Sequence, residues 1–244
     1  MTTKKTKPFV AVIGTGGTIS TLARHPLDYV EYADDAPKIE VDSLLELVPE
    51  VAEQAEIRPV SFSAVTSSKI TPRDWLKLND LIHRVAESDV PPHGIVIIHG
   101  TSTLEETAYF LDLSLKTDVP VVVVGSQRPL GTLSTDAPLN LVNAVRAAAS
   151  PNARGLGVLV LMNGEIQGAR EVTKCSNYRL EAFRSPELGI LGYADADGTI
   201  VFYRAPTRRH APDAEFDVRG VRELPRVDIT YSYAGSDGTA VEAL

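Results

Sequence analysis

Two short hydroxyl-rich segments hold most of the residues in this chain that can do chemistry. The first is Gly14-Thr15-Gly16-Gly17-Thr18-Ile19, and the second is His99-Gly100-Thr101-Ser102-Thr103-Leu104-Glu105-Glu106-Thr107. Each follows an apolar run, Phe9–Ile13 and Gly94–Ile98, and the second precedes an amphipathic stretch from Ala108 to Leu115. A buried strand that gives way to a helix is where α/β proteins place their ligands. Two hydroxyl loops at such strand ends point to nucleophilic catalysis by a hydroxyl on a small substrate.

A threonine hydroxyl is a weak nucleophile at neutral pH and needs a neighbour to take its proton. Thr18 has no histidine close in sequence, but Tyr29 and Tyr32 follow in an aperiodic stretch that can fold over it. The glycines before Thr18 also fit a tight turn or a dinucleotide loop. The latter would require glycine where Ile19 stands and a helix at once, whereas Ser20-Thr21 and an irregular stretch to Lys38 follow. In the second segment Thr101 and Ser102 lie where the free N–H groups of a helix start are available to an anion. Ser102 or Thr103 also suits an N-cap, with Glu105 or Glu106 in the first turn serving the helix dipole. His99 reads as a satisfied buried histidine rather than a base.

Alternating elements must carry these loops. Strand-like runs are Phe9–Ile13, Arg58–Phe62, Gly94–Ile98, Pro120–Val124 and Gly157–Met162, several of them continuously apolar as strands buried on both faces should be. Helical periods lie between them over Val41–Leu47, Pro72–Ala86, Thr103–Leu115 and Asp136–Ala149, with Thr71 and Pro72 suited to a cap and first turn. This alternation predicts an α/β fold with a mostly parallel sheet, flanking helices and right-handed crossovers. Asn163–Arg170 and residues 189–204 read as hairpins, the latter turning at Asp195-Ala196-Asp197-Gly198. Residues 1–204 thus read as one domain, 205–226 as an aperiodic linker, and 227–244 as a strand (Val227–Tyr233) and helix start that either pack on the main domain or begin a further one.

The net charge of −8 argues against nucleic acid or an anionic membrane as partner. A single cysteine, Cys175, excludes an internal disulfide, and Cys and His are too few and scattered for a zinc site, so no metal or cofactor is expected. The basic start, Met1 to Pro8, leads into a strand-like run without an apolar core of signal-peptide length. A cytoplasmic location is the default.

The two loops together resemble the bacterial L-asparaginase/glutaminase family. Thr15–Ile19 matches the first signature of that family, and His99–Ala108 the second with one departure. The likeness continues through Pro120–Pro129, Asp136–Ala144, Arg170–Lys174 and Tyr231–Ala234. It implies amide hydrolysis without a cofactor, in a homodimer or homotetramer. Thr18 would form an acyl-enzyme, assisted by a flap tyrosine best matched by Tyr32 and less well by Tyr29. Thr101 and Lys174 would form a second hydroxyl–amine pair. Ser67 would bind a substrate carboxylate, with Ser68 and Ser102 beside it, and the backbone around Gly17 and Gly100 would help form the oxyanion hole. Without the resemblance, Lys174 reads as a surface lysine.

The departure is Ser102, where the family carries an aspartate that holds the substrate's α-ammonium. Ser68 stands where the family has glutamine, and a third ammonium contact belongs to a C-terminal-domain segment that this chain does not contain. An ammonium buried without an anion is costly. The expected substrate is therefore a small amide such as L-asparagine or, because of Ser102, a lactam, ester or amide without an α-amino group. Loss of a nearby carboxylate and burial would both lower the pKa of Lys174, which makes it a better base. The remaining alternatives are a catalytically silent binding protein and an inactive truncated form.

Overall fold

A computed structural model of the chain describes residues 6–32 and 36–243. The basic start Met1–Lys5, part of the irregular stretch before Lys38 (33–35), and the last residue of the C-terminal helix start, Leu244, lie outside the described residues. In chain order the elements are β1 (Phe9–Gly16), α1 (Val41–Leu47), α2 (Val51–Gln54), β2 (Glu56–Val65), α3 (Pro72–Ala86), β3 (Gly94–Ile98), α4 (Leu104–Ser114), β4 (Val121–Val124) and α5 (Ala137–Ala149). They continue with β5 (Val158–Met162), β6 (Glu165–Gly168), β7 (Thr173–Lys174), β8 (Phe183–Arg184), β9 (Gly192–Ala194), β10 (Ile200–Phe202) and α6 (Thr239–Glu242).

Eight strands make one sheet in the order β10-β9-β6-β5-β4-β3-β1-β2, and β7 pairs with β8 apart from it. The five strands from β5 to β2 are parallel, and β6, β9 and β10 add an antiparallel edge. β1, β3, β4 and β5 are apolar because both of their faces are covered. Val10 and Val12 pack with Leu44, Leu141 and Val145 on one side. Ala11 and Ile13 pack with Leu78, Ile82, Leu104 and Leu111 on the other. β2 is an edge strand, which is why its residues are half-buried or exposed and its length exceeds the short apolar run that marks it in the sequence.

The helices start where local chemistry favours them. At α3, the Asp74 carboxylate accepts hydrogen bonds from the Thr71 amide (3.1 Å) and hydroxyl (2.6 Å), and Pro72 occupies the first turn. At α4 the expectation of a capping hydroxyl fails. Thr103 occupies the N-cap position, but its hydroxyl donates to the Ser67 carbonyl at 2.9 Å and so ties two loops together. The β5–β6 hairpin turns on Asn163 and Gly164, both with positive φ (52° and 75°), and β9 and β10 form the second hairpin.

Val227–Tyr233 forms no strand here. The segment runs extended with Val227, Ile229, Tyr231 and Tyr233 exposed, because none of the described residues supplies a ladder partner. Residues 205–226 contain neither helix nor strand. They lie against the domain through hydrogen bonds such as Arg170 to the Arg209 carbonyl (2.9 Å) and Phe216 to the Leu113 carbonyl (3.0 Å). Among the described residues, no helix is long and apolar enough to cross a membrane.

One reversal in strand order governs the rest. From β1 the chain steps outward to β2, then crosses back past β1 to β3. A crevice therefore opens at the carboxyl ends of β1 and β3, where neighbouring connections leave in opposite directions. The loops beyond both strands meet there. Gly17 has φ of +89°, and a Cβ built on it would lie 2.2 Å from the Gly100 Cα.

Beneath that contact lies a buried hydrogen-bond chain. The Trp75 indole of α3 donates to the Thr107 hydroxyl of α4 (2.9 Å), which lies 2.9 Å from Nε2 of His99. Nδ1 of His99 lies 2.8 Å from the Gly100 carbonyl. A carbonyl only accepts, so Nδ1 carries the ring proton and Nε2 accepts from Thr107. His99 is completely buried, and desolvation lowers its pKa to about 4 against the opposing pull of the Gly100 carbonyl.

Gly17→Ala combines a disfavoured φ with a backbone clash, and is expected to cost more than about 2 kcal/mol in urea unfolding. Gly131→Ala is the control. It shares a positive φ (+84°) but has nothing within 4 Å, so it should cost only about 1 kcal/mol. His99 gives a second expectation. Between its unfolded and folded pKa the unfolded chain binds a proton that the folded chain refuses, so stability falls as pH drops from about 6.5 to about 4. The loss attributable to this residue is about 3 kcal/mol. It should appear as the difference between the acid limbs of wild type and His99→Gln in urea melts over that range.

Candidate active site

The loop contact forms the floor of a cleft of about 300 Å³. Its lining includes Gly17 and Thr18 after β1, Thr66, Ser67 and Ser68 after β2, and Gly100, Thr101 and Ser102 after β3. Thr18 starts a single 3-10 turn, Thr18–Ser20. The chain then leaves the sheet and returns over the loop, closed at its base by Ile39 N–H to the Ser20 carbonyl (2.7 Å) and Leu130 N–H to the Thr21 carbonyl (2.9 Å). This excursion brings both flap tyrosines to the cleft, where they serve differently. Tyr32 places its hydroxyl 3.2 Å from the Thr18 hydroxyl. Tyr29 spends its hydroxyl on the Leu133 carbonyl (2.9 Å), with the Arg128 guanidinium over its ring, so it acts as a wall.

The second hydroxyl is also partnered. Lys174 Nζ lies 2.7 Å from Thr101 Oγ1, and both side chains line the cleft. The sequence position of Lys174 shows nothing of this, because β7 is only two residues long. Glu105, expected to serve the helix dipole, does lie in the first turn of α4 and also faces β7. Its carboxylate accepts from the Thr173 hydroxyl (3.3 Å) and from the Lys174 backbone N–H. Glu106 is exposed, and its pKa is raised by partial burial and by the charge of Glu105.

Burial sets the protonation of the two partners. It pushes the Tyr32 phenol above its ordinary value against the lowering effect of the Thr18 hydrogen bond, and Asp136 and Asp28 push it further up. Tyr32 is therefore a neutral phenol. Burial lowers the pKa of the Lys174 ammonium, and the charge of Glu105 resists. The amine is thereby shifted toward the neutral form that can accept a proton from Thr101.

Ser67 is buried on the inner wall, whereas Ser68 and Ser102 face the opening. The Ser68 hydroxyl lies 3.4 Å from that of Thr66. Gln127, Asn177 and Tyr178 also line the cleft, without having stood out in the sequence. Gln127 donates to the carbonyls of Ser176 (3.2 Å) and Arg179 (3.1 Å) and so holds the loop after Lys174 in place. Its position directly after β4, at a strand's carboxyl end, was the available signal. Among the described lining residues there is no aspartate or glutamate, while Lys38 and Lys174 are both present.

Comparison with known proteins places this geometry in a family. Residues 9–208 match the family model described as asparaginase, N-terminal. The chain is 44% identical over 236 residues to a glutaminase-asparaginase of Pseudomonas fluorescens biotype A, covering 96% of this chain and 64% of that protein. It is 43% identical over 237 residues to L-asparaginase 2 of Bacillus subtilis strain 168, covering 97% and 61%. The chain thus spans somewhat less than two thirds of the length of these relatives. A crystal structure of a probable cytoplasmic L-asparaginase from Campylobacter jejuni superposes with a TM-score of 0.86 at 38% identity, covering 97% of this chain and 70% of that one. The mostly parallel sheet with flanking helices is shared with that structure, and the chain belongs to the asparaginase family.

Proposed function

We propose that the cleft hydrolyses the carboxamide of a small substrate, L-asparagine or a related amide, through an ester formed on Thr18. The observation that carries this reading is the presence of two partnered hydroxyls in one cleft: Thr18 with Tyr32 at 3.2 Å and Thr101 with Lys174 at 2.7 Å. Family membership supports the same reaction. Thr18 Oγ1 attacks the amide carbon, and its proton passes through the neutral Tyr32 phenol to the departing nitrogen as the C–N bond breaks and ammonia leaves. Backbone N–H groups near Thr18 and Thr101 stabilise the oxyanion, the Gly17 N–H being taken by the Val65 carbonyl (2.9 Å). Water then attacks the ester, giving its proton to the Thr101–Lys174 pair; the C–Oγ1 bond breaks, that proton is returned to Thr18 Oγ1, and the carboxylic acid departs with Thr18 and the pair both restored.

The catalytic unit on this reading is residues 1–204, with 205–226 a linker and 227–244 the start of a further domain. Assembly as a homodimer or homotetramer and a cytoplasmic location belong to the same proposal. The Campylobacter neighbour is described as a probable cytoplasmic enzyme.

One observation favours a narrower substrate. With no aspartate or glutamate among the described lining residues, the described groups that an α-ammonium entering the cleft meets include the hydroxyls and amides of Ser68, Ser102, Gln127 and Asn177. An amide, lactam or ester without the α-amino group loses nothing there.

Thr18→Ala is expected to reduce ammonia release by at least about 10³-fold, and Tyr32→Phe by about 10² to 10⁴-fold. Mass spectrometry of the quenched wild-type enzyme should show an acyl adduct on Thr18. Substrate turnover with no adduct, or full activity in Thr18→Ala, would overturn the nucleophile assignment, and absence of any turnover would leave a silent binding protein. On the substrate question, succinamate should exceed L-asparagine and L-glutamine in kcat/KM by about tenfold or more. A preference for L-asparagine would sink the narrower reading and leave the reaction class intact.

A further inference from the structure

We propose that Glu105 is the positioning residue of the Thr101–Lys174 pair, its carboxylate fastening the 173–174 segment to the start of α4 so that the lysine amine reaches the threonine hydroxyl. The proposal rests on the functional reading only for the catalytic use of that pair.

The segment bearing Lys174 has little backbone pairing of its own. β7 is two residues long and pairs only with the two-residue β8, outside the main sheet. So short an isolated ladder has little stability. Glu105 supplies what is missing: one carboxylate oxygen accepts the Thr173 hydroxyl at 3.3 Å, and the other accepts the Lys174 N–H. The next residue adds a bond from the Cys175 N–H to the Ala182 carbonyl at 2.6 Å. Glu105 lies in the first turn of α4, four residues after Thr101. One helix start therefore fixes both partners, Thr101 through the chain and Lys174 through the Glu105 carboxylate, and Nζ and Oγ1 meet at 2.7 Å.

The same carboxylate also acts by its charge. Desolvation favours the neutral lysine, and the charge of Glu105 opposes it. The other titratable groups lining the same cleft are Lys38, Tyr29, Tyr32 and Tyr178, and Arg184 on β8 pairs with Thr173 beside the lysine. Arg184 lies 3.8 Å from Glu181. Glu105 is the charged group that bears on Lys174 most directly, so the fraction of neutral amine depends on it as well as the amine's position.

Glu105→Gln and Glu105→Asp in the full chain test this, with ammonia release from the best substrate and pH-dependent acetylation of Lys174 read by mass spectrometry. Glu105→Gln keeps one acceptor and removes the charge. It is expected to lower kcat by about 10- to 100-fold with KM nearly unchanged. The midpoints of the pH–rate limb and of Lys174 labelling should both move to lower pH. Glu105→Asp restores the charge and should return the labelling midpoint toward the wild-type value while recovering only part of kcat. A folded Glu105→Gln enzyme with unaltered kcat, or with a lower kcat and unmoved midpoints, would overturn the proposal. If Glu105→Gln fails to fold, the aspartate variant decides: wild-type kcat in it would overturn the proposal. A wild-type protein without ammonia release would defeat the functional reading, and the labelling midpoints would still decide the role of Glu105.

Discussion

The close approach of Gly17 to Gly100 is the constraint on which the site depends. Strand order forces it, because β1 and β3 are neighbours in the sheet and both loops leave from their carboxyl ends. Two backbones that meet so closely leave no room for a side chain between them. Each glycine then presents its next residue, Thr18 or Thr101, to the cleft. The floor is stiffened from below by the chain from Trp75 through Thr107 and His99 to the Gly100 carbonyl. It is stiffened from the side by the Thr103 hydroxyl on the Ser67 carbonyl. Thr103, which the sequence suggests as a cap, acts here as a tie, and His99 is the satisfied buried histidine that its sequence context implies.

Burial gives the site a common electrostatic character. It pushes the His99 imidazole and the Lys174 amine down and the Tyr32 phenol up. All three displacements favour the uncharged form, since a charge taken out of water needs a partner or an opposite charge close by. Tyr32 is thereby held as a phenol beside Thr18, and the Lys174 amine beside Thr101 is shifted toward its neutral form. Glu105 works against this trend. Its charge favours the lysine ammonium, and its hydrogen bonds hold the lysine in place, so the geometry comes at a cost in basicity.

Hydrophobic period and strand-end chemistry made much of this legible in the sequence. Val41–Leu47, Pro72–Ala86 and Gly94–Ile98 end where their patterns end, because apolar faces and a proline first turn are local signals. The two threonine loops followed from glycines and hydroxyls after buried strands. The partners did not follow from such signals. Tyr29 and Tyr32 sit in one aperiodic stretch, and only tertiary structure sends one hydroxyl to Thr18 and the other to Leu133. Lys174 lies on a strand too short to show a period, so only the family resemblance singled it out. Glu105 and Thr103 looked like helix-start residues and are one, but each also bonds to a segment distant in sequence. The alternation of Val227, Ile229, Tyr231 and Tyr233 reads as a strand, yet a strand exists only with a partner, and alternation carries no information about whether one is present.

On the proposed reading, these contrasts divide the site into a part that sets the reaction and a part that sets the substrate. The floor is built on β1, β3 and the start of α4, elements buried in the core and fixed by the order of the sheet. The walls come from the flap, the loop after β2 and the 175–178 segment, which carry Tyr29, Ser68, Asn177 and Tyr178. Ser102 stands between the two, on the floor's own loop but exposed toward the opening. A change of side chain there leaves the glycine contact untouched while altering the charge that an entering molecule meets. Substitution at such a position changes what lines the opening without rebuilding the floor, whereas a side chain added at Gly17 or Gly100 would have to move the two strand ends that meet there.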